Sequence, residues 1–279
     1  MKRWLIGLVL VFIAAFVWIP LWMLLSGTFM GSAELSENLA PVLGRGEGNA
    51  VWPVIAQYPT LQAYVELLLD TPQFFTVFWN SCIQVFPIVL GQVFLGAPAA
   101  WAFAKFHFRG KKILYTLYIV LMLMPFQVTM VSSYLVLNKL KLIDTVWAVI
   151  LPGATSTFPV FIMLRFFMAI PDAIIEAAAV DGASPFQTFC SFGIPLGAPG
   201  ILSAVVLGFL EYWNAMEAPQ AFLKNQELWP LSLYMANITA DNAGVSLIAS
   251  LITLIPPILI FLFGQKYLEQ GIISSGMKD

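Results

Sequence analysis

The sequence predicts an all-α integral membrane protein with six transmembrane helices. Hydrophobic residues make up 60% of the chain and charged residues 10%, with a mean hydropathy of +0.86, whereas soluble domains carry about 25% charged residues. Apolar stretches of the roughly 20 residues that cross about 30 Å of hydrocarbon as a helix recur along the chain. Because backbone polar groups in lipid must hydrogen-bond internally, each stretch is expected to be helical. Residues 1–279 are predicted to form a single transmembrane domain.

Six stretches meet this criterion. The first is longer than the apolar core of about 7–15 residues in a secretory signal, so we expect it to remain as a membrane helix. The fifth is short and ends among the polar residues Glu211, Asn214 and Glu217. Prolines inside the stretches, such as Pro125 and Pro152, are expected to bend their helices. The predicted helices are Trp4–Ser26, Phe74–Phe103, Ile113–Val136, Val146–Phe167, Ala198–Tyr212 and Ala243–Phe263.

The distribution of lysine and arginine predicts how these helices are oriented. Positive residues collect in the cytoplasmic loops of membrane proteins. On this basis both termini and the polar loop at residues 169–196 are predicted to be cytoplasmic. The richer side holds Lys2, Arg3, Lys105, Arg109, Lys111, Lys112, Arg165, Lys266 and Lys278, and the poorer side holds Arg45, Lys139, Lys141 and Lys224.

The polar loop between the fourth and fifth apolar stretches is predicted to contain two short helices. Pro171-Asp172 suits a first helical turn, where proline is tolerated and negative charge is favoured. Gly182 suits a left-handed exit from that helix. Ser184-Pro185-Phe186-Gln187 is typical of a capped second start, and Gly193 and Pro195 are expected to end the second helix. The predicted product is a small apolar knuckle that suits a socket on another protein.

Within this loop the chain resembles the EAA motif of the membrane permeases of ABC importers. In that motif E-A-A is followed after three residues by glycine and, after a further gap, by I-x-x-P or L-P. We call residues 169–196 the EAA segment. Among these permeases, the chain most resembles those of the carbohydrate-uptake branch. Within that branch it is similar to the shorter membrane subunit of the maltose importer. The matching residues are Glu176, Ala177, Ala178, Asp181, Gly182, Ala183, Ile194 and Pro195.

The resemblance runs from about Pro59 to the last residue, because further blocks match in the same order. It implies a type I ABC importer permease in the bacterial cytoplasmic (inner) membrane. The implied partners are a second, non-identical permease, an ATPase dimer, and an extracellular or periplasmic substrate-binding protein. The further blocks are Asn80-Ser81, Ala102–Lys105, Phe108–Lys111, Met124–Val128, Ile170–Asp172, Trp213-Asn214 and Gly271–Asp279.

Two residues of the EAA segment allow a functional and a structural interpretation. Glu176 is interpreted as a carboxylate that meets a basic residue of the ATPase, and the alternative is a first-turn acid that stabilises its own helix by about 1 kcal/mol or less. Gly182 is predicted to be required for its backbone, since a side chain there costs about 1 kcal/mol. It would also fill the socket. Pro195 is expected only to end the loop.

The carboxyl-terminal tail, residues 265–279, is a second candidate for contact with the ATPase. The resemblance implies this role for Gly271, Ser275, Gly276 and Met277. The alternative is a frayed terminus, which is common.

Polar residues in the fifth stretch are candidates for the translocation path. Glu211 and Asn214 lie three residues apart and therefore share one helix face. Trp213 is predicted to offer a stacking surface to a sugar ring. The family usually has Trp-Asn-Asp here, whereas this chain has Ala215 in the third place. The alternative is an interfacial aromatic belt with acids that reach the membrane surface.

The outer loop, residues 27–73, is the longest polar segment. Thr60 can cap a short helix over Leu61–Leu69, which Thr71-Pro72 would end. The loop is interpreted either as a contact for a substrate-delivery protein or as a solvated lid.

Other chemistry is not indicated by the sequence. The chain contains no G-x-x-x-x-G-K-[ST] phosphate loop, so ATP and Mg²⁺ are expected on the ATPase partners and no cofactor on this chain. Neither Cys82 and Cys190 nor His107 has a spacing that indicates a metal or catalytic site, and no nucleic-acid partner is expected. The predicted function is a half-permease of an ATP-driven sugar importer. A permease for a non-sugar solute and an ATP-independent carrier remain alternatives.

Overall fold

A computed structural model of the chain describes residues 2–39, 41, 49, 51–235 and 243–276, and every regular element among them is helical. The helices are α1 (Lys2–Gly27), α2 (Ser32–Leu39), α3 (Gln62–Val65, continued by a π-helical turn at Glu66–Asp70), α4 (Pro72–Lys105), α5 (Lys111–Leu123), α6 (Phe126–Lys139), α7 (Trp147–Ala154), α8 (Phe158–Ala169), α9 (Asp172–Val180), α10 (Pro185–Thr188, continued by a π-helical turn at Phe189–Gly193), α11 (Ile194–Trp213), α12 (Glu217–Phe222), α13 (Leu231–Met235) and α14 (Ala243–Gly276). A 3₁₀ turn at Gln226–Leu228 precedes α13.

Five helical stretches of the described chain are long and apolar enough to cross a membrane, and a bent pair makes a sixth if it counts as one span. This agrees with the six predicted helices. The five stretches are Trp4–Gly27, Pro72–Lys105, Trp147–Ala169, Pro185–Trp213 and Ala243–Glu269, and the bent pair is Lys111–Leu123 with Phe126–Lys139.

The third predicted helix, Ile113–Val136, is wrong as a continuous span. It is two helices, α5 and α6, that meet at an angle of 104°. Met124 is extended, with φ −74° and ψ 120°, and Pro125 caps α6. A proline disfavours helical backbone in the residue before it and cannot donate an N–H to the preceding turn. The predicted bend at Pro125 is therefore present as a complete break between α5 and α6.

Contacts within the chain define two compact units, Met1–Val77 with Tyr234–Ile255, and Phe78–Leu233 with Pro256–Asp279. In the first unit the loop after α1 is tied back to that helix. Trp22 Nε1 donates to the carbonyl of Val54 at 2.9 Å, and Tyr64 Oη donates to Thr28 Oγ1 at 2.8 Å. The short helix predicted near Leu61–Leu69 is present as α3 and its π-helical turn, whereas α2 was not predicted.

The second unit is built on the close packing of α8 against α11. Gly197 and Gly200 lie on the α11 side of this contact, where a Cβ would collide with the rings of Phe167 and Phe166 respectively. Both glycines are buried. The absence of side chains at these positions lets the two helices approach, so the packing is specified by small residues, as in many membrane helix pairs.

A row of buried polar side chains on α4 holds the segment before α13. Asn80 Nδ2 donates to the carbonyls of Glu227 and Trp229, at 2.6 and 3.1 Å. Gln84 Nε2 donates to the carbonyl of Leu228 at 2.9 Å, and Ser81 Oγ accepts from the N–H of Leu231 at 2.7 Å. Buried backbone groups outside helices need such partners. We call Asn80, Ser81 and Gln84 the α4 polar row.

The last helix is longer than predicted. The sixth stretch was expected to end at Phe263 and to lead into a tail, but α14 continues to Gly276. In the second unit it packs on α11, where Ser203 Oγ donates to the carbonyl of Tyr267 at 2.9 Å and Gly264 faces Val206 without room for a Cβ. Gly271, Ser275 and Gly276 are thus helical residues, and Met277 lies outside the described residues.

Candidate coupling segment and membrane cavity

The start of the EAA segment is held by a lysine from another helix. Lys105, the last residue of α4, donates a hydrogen bond to the carbonyl oxygen of Ile170 and forms an ion pair with Asp172, 2.7 Å between Nζ and Oδ1. The Lys105 side chain is 5% exposed and that of Asp172 is 79% exposed. The hydrogen bond from Lys105, together with its charge, holds the pKa of Asp172 below the ordinary value of 3.8. Sequence reasoning found Asp172 as a first-turn acid but missed its partner, which lies 67 residues away.

The lowered pKa of Asp172 predicts a pH dependence of stability. Because the folded-state pKa is the lower one, the ion pair contributes fully above the unfolded-state pKa, and this contribution is lost as the pH falls through the folded-state pKa. The difference in unfolding temperature between the native chain and Asp172→Asn should therefore stay constant from about pH 7 to 5 and shrink below about pH 4. Thermal unfolding of the purified chain in detergent measures this difference. A difference that grows on acidification would contradict the pairing.

Gly182 ends α9 in a left-handed turn, as predicted. Its φ is +82°. The N–H groups of Gly182 and Ala183 donate to the carbonyls of Ala179 and Ala178, at 3.1 and 2.9 Å, which is the hydrogen-bond pattern of a Schellman motif. A Cβ at Gly182 would meet no atom within 4 Å. Within this chain, a side chain at Gly182 would thus cost about 1 kcal/mol in backbone strain but would not clash with any neighbouring atom.

The second helix start in the EAA segment also matches the prediction, but its end does not. Ser184 Oγ accepts from the N–H of Gln187 at 3.3 Å, and Gln187 Oε1 accepts from the N–H of Ser184 at 2.8 Å. The expectation that Gly193 and Pro195 end this helix is wrong, because a π-helical turn leads into α11 and Pro195 lies in the first turn of α11.

The outer surface of the EAA segment combines an acid with exposed apolar side chains. Glu176 and Ala177 are exposed, whereas Ala178 is buried. Val180 is 87% exposed and Phe186 is 74% exposed, one on each side of the Gly182 turn. Exposed apolar groups clustered beside polar ones are typical of protein contact surfaces.

The opposite surface of the EAA segment is anchored in the core of the second unit. Phe189, in the π-helical turn, is 8% exposed and packs between Trp101 and Phe167, with ring centroids 5.7 and 6.3 Å away. Ile174 and Ile175 of α9 pack against the same cluster. Each aromatic pair contributes about 0.5–1.5 kcal/mol beyond its buried area. The EAA segment is therefore packed firmly against α4, through Trp101, and against α8, through Phe167.

A second candidate site is an open cavity of about 1280 Å³ in the second unit, which includes Glu211, Asn214 and Glu217 in its lining. Gln127 Nε2 donates to Glu217 Oε1 at 2.8 Å, and Asn214 Nδ2 donates to the carbonyl of Leu210 at 2.8 Å. The cavity is larger than the roughly 300–1,000 Å³ of a drug-sized site. Hydroxyl groups line it from Thr129, Ser132, Ser133, Thr155, Ser156, Thr157 and Tyr212.

Trp213 does not line this cavity. It is 2% exposed and stacks on Phe209, with ring centroids 5.3 Å apart and an angle of 15° between the planes. Phe78 packs edge-on against it at 5.8 Å. A side chain enclosed in this way offers no face to a sugar, contrary to the prediction for Trp213.

Neither candidate site contains a group of side chains placed to hold a metal ion. Among the residues that the structure describes, no three His, Cys, Asp or Glu side chains are placed to hold one metal ion. Cys82 and Cys190 are free thiols. What the EAA segment and the cavity offer is a contact surface and a polar space, both of which suit a transport subunit.

The chain belongs to the family of binding-protein-dependent transport system inner membrane components, whose model matches residues 92–274. This range contains the EAA segment and the cavity-lining residues. The predicted resemblance to ABC importer permeases is thereby confirmed.

Individual relatives support the same assignment. The chain is 25% identical over 278 residues to the arabinooligosaccharides transport system permease protein AraQ of Halalkalibacterium halodurans, covering 99% of this chain and 96% of the relative. It is 28% identical over 211 residues to the sn-glycerol-3-phosphate transport system permease protein UgpE of Escherichia coli K12, covering 74% and 75%.

Two crystal structures share the fold. One is of a bacterial ABC transporter involved in the import of the acidic polysaccharide alginate, and it matches with a TM-score of 0.81 at 21% identity, covering 95% of this chain and 96% of the other. The second is of a bacterial alginate ABC transporter in complex with alginate pentasaccharide-bound periplasmic protein, with a TM-score of 0.61 at 16% identity, covering 94% and 93%. The fold is that of ABC importer permeases.

Proposed function

We propose that this chain is one half-permease of an ATP-driven carbohydrate importer in a bacterial cytoplasmic membrane. The observation that carries the proposal is the family match over residues 92–274. Relatives and structural neighbours named for arabinooligosaccharides and alginate favour a saccharide as the solute. In this proposal the chain pairs with a second, non-identical permease, an ATPase dimer and a substrate-binding protein, and ATP and Mg²⁺ bind to the ATPase subunits.

The EAA segment is proposed to be the contact with the ATPase. Its exposed Glu176, Val180 and Phe186 would enter a socket on that partner, and its buried Phe189 would carry the movement into the helix bundle. Both chain termini would then face the cytoplasm, and the tail after residue 265 would lie near the same partner. ATP closes the ATPase dimer. ATP binds the closed and open states of that dimer with different affinity, and this difference supplies the energy that switches the permease between inward- and outward-open forms.

The cavity lined by Glu211 and Asn214 is proposed to be this chain's share of the translocation path. Its hydroxyl, amide and carboxylate groups can both donate and accept hydrogen bonds, as sugar hydroxyl groups require. No lysine, arginine or histidine occurs among its described lining residues. This lining favours a neutral, hydroxyl-rich solute.

Glycerol phosphate is a second candidate solute, since the UgpE relative is named for it. A phosphate is usually held by arginine, lysine or backbone N–H groups, and beside Glu211 and Glu217 it would experience repulsion. The second permease would have to supply the cations. For this chain we therefore favour the neutral saccharide.

Affinity purification from the native cells tests the proposal. The chain is tagged at its N-terminus and extracted in mild detergent, and its bound proteins are identified by mass spectrometry and assayed for ATP hydrolysis. We expect an ATPase and a second permease in stable amounts. A co-purified binding protein is then titrated with neutral oligosaccharides and with glycerol phosphate. Recovery of this chain alone under several extraction conditions, without ATP hydrolysis, would contradict the proposal.

A further inference from the structure

We propose that Lys105 is a positioning residue that fixes the angle of α9 against α4 and so keeps the EAA segment mechanically coupled to the membrane helices. The inference rests on the proposed function for its consequence in transport. Its geometric part stands on the structure alone.

The Lys105 side chain lies where three helices meet. Lys105 is the last residue of α4, and its ammonium group donates to the carbonyl of Ile170 at the end of α8 and pairs with Asp172 at the start of α9. One charged group therefore joins three helices. Its side chain is 5% exposed, and a lysine charge withdrawn from water in this way needs a paired anion and further hydrogen bonds. A solvated surface lysine would need neither.

Lys105 spans the joint between α8 and α9. Ile170 has φ −70° and ψ 124°, and Pro171 has φ −60° and ψ 137°, so two extended residues separate α8 from α9. Pro171 has no N–H with which to continue a helical ladder. Such a joint can act as a hinge, because few torsion angles need to change for α9 to swing. A bond from α4 across the joint opposes that swing.

The consequence concerns how force is passed on. Without the Lys105 bridge, movement of a partner against Glu176 and Phe186 would be absorbed partly by rotation at Ile170 and Pro171. With the bridge, α9 and the end of α4 move together. Loss of Lys105 should therefore weaken coupling more than it weakens folding or assembly.

Graded variants test this role in the assembled transporter. Lys105→Met removes both contacts, Asp172→Asn removes the charge pair but keeps the carbonyl bond, and Lys105→Arg keeps a donor for both. Lys112→Met is the matched control, because Lys112 is an exposed lysine on the first turn of the next helix. In membranes or nanodiscs, binding-protein-stimulated ATP hydrolysis should fall roughly tenfold in Lys105→Met, the change expected for losing charged hydrogen bonds. The fall should be smaller in Asp172→Asn and absent in Lys105→Arg and Lys112→Met. The amount of assembled complex should be the same in Lys105→Met as in Lys112→Met, and unstimulated hydrolysis should be unchanged in Lys112→Met.

A distance measurement keeps the inference testable independently of transport. With Cys82 and Cys190 replaced by serine, spin labels are placed on the exposed residues Lys112 and Ala179 of the full chain. Pulsed electron paramagnetic resonance should give a broader label-to-label distance distribution in Asp172→Asn and Lys105→Met than in the native background. Unchanged distributions would overturn the positioning role even if an ATPase co-purifies. Broadened distributions without any co-purified ATPase would support the positioning role of Lys105 and would count against the proposed function instead.

Discussion

Replacing Gly182 with aspartate is expected to reduce ATP-driven uptake at least tenfold while leaving the chain inserted in the membrane. The turn at Gly182 has φ +82°, and a Cβ there would meet no atom within 4 Å of this chain. The cost within the subunit is therefore backbone strain of about 1 kcal/mol, too little to unfold a membrane bundle. The carboxylate would stand on the surface proposed to enter the ATPase, where burying an unpaired charge is costly. Uptake of labelled substrate and the amount of co-purified ATPase measure the effect.

Two further substitutions at Gly182 separate strain from obstruction. Alanine carries the strain with little added volume, and asparagine has the size of aspartate, tolerates the left-handed conformation and has no charge. Uptake should decline in the order alanine, asparagine, aspartate. If alanine were as damaging as aspartate, backbone conformation would explain the requirement for glycine. Normal uptake by the aspartate variant would remove the case for a socket.

Gly197→Val is expected to have the largest effect on folding. A Cβ at Gly197 would overlap the ring of Phe167, which is itself fully buried and packs against Trp101 and Phe189. Forcing extra carbon atoms into such a core costs about 1–3 kcal/mol and sometimes more. The α8–α11 contact would open, so the anchor of the EAA segment would be lost with it. We expect less folded protein after detergent extraction and a lower temperature of aggregation.

The control for Gly197 is the same substitution where there is room. Gly7 lies on α1, and a Cβ there would meet no atom within 4 Å, so Gly7→Val should leave the aggregation temperature unchanged. Gly197→Val combined with Phe167→Ala should recover part of the loss, because the smaller side chain vacates the overlapping volume. Fluorescence-detected size exclusion after heating measures all three. Equal stability of Gly7→Val and Gly197→Val would show that the close packing of α8 and α11 is not required.

The sequence could predict features whose causes are local. The Gly182 exit from α9 and the capping box of Ser184 and Gln187 each depend on residues within one or two turns, and the structure has both. The number of membrane spans follows from length and hydropathy in the same way. Pro125 shows the limit of local reasoning: a proline predicts a bend, but the residue type does not predict the observed angle of 104°.

Features that depend on distant partners could not be read from the sequence. The ion pair of Lys105 and Asp172 joins residues that are 67 positions apart, and no periodicity in the sequence marks such a pair. The sequence predicts that Trp213 offers a stacking surface to a sugar ring. The structure shows that it stacks on Phe209 instead, one turn earlier on the same helix. The expectation that Pro195 ends the second helix of the EAA segment is wrong. Composition alone does not distinguish the end of a helix from a π-helical turn that leads into the next α-helix.

The α4 polar row has a consequence for how the chain can evolve. Asn80, Ser81 and Gln84 bind main-chain carbonyl and N–H groups of residues 227–231, and every amino acid except proline offers the same groups. The attachment itself therefore places no restriction on the exposed side chain of Glu227, whereas Leu228 and Trp229 are restricted separately because they pack against the core around Ile88 and Val149. Position 227 can change over generations while the main chain stays attached to α4.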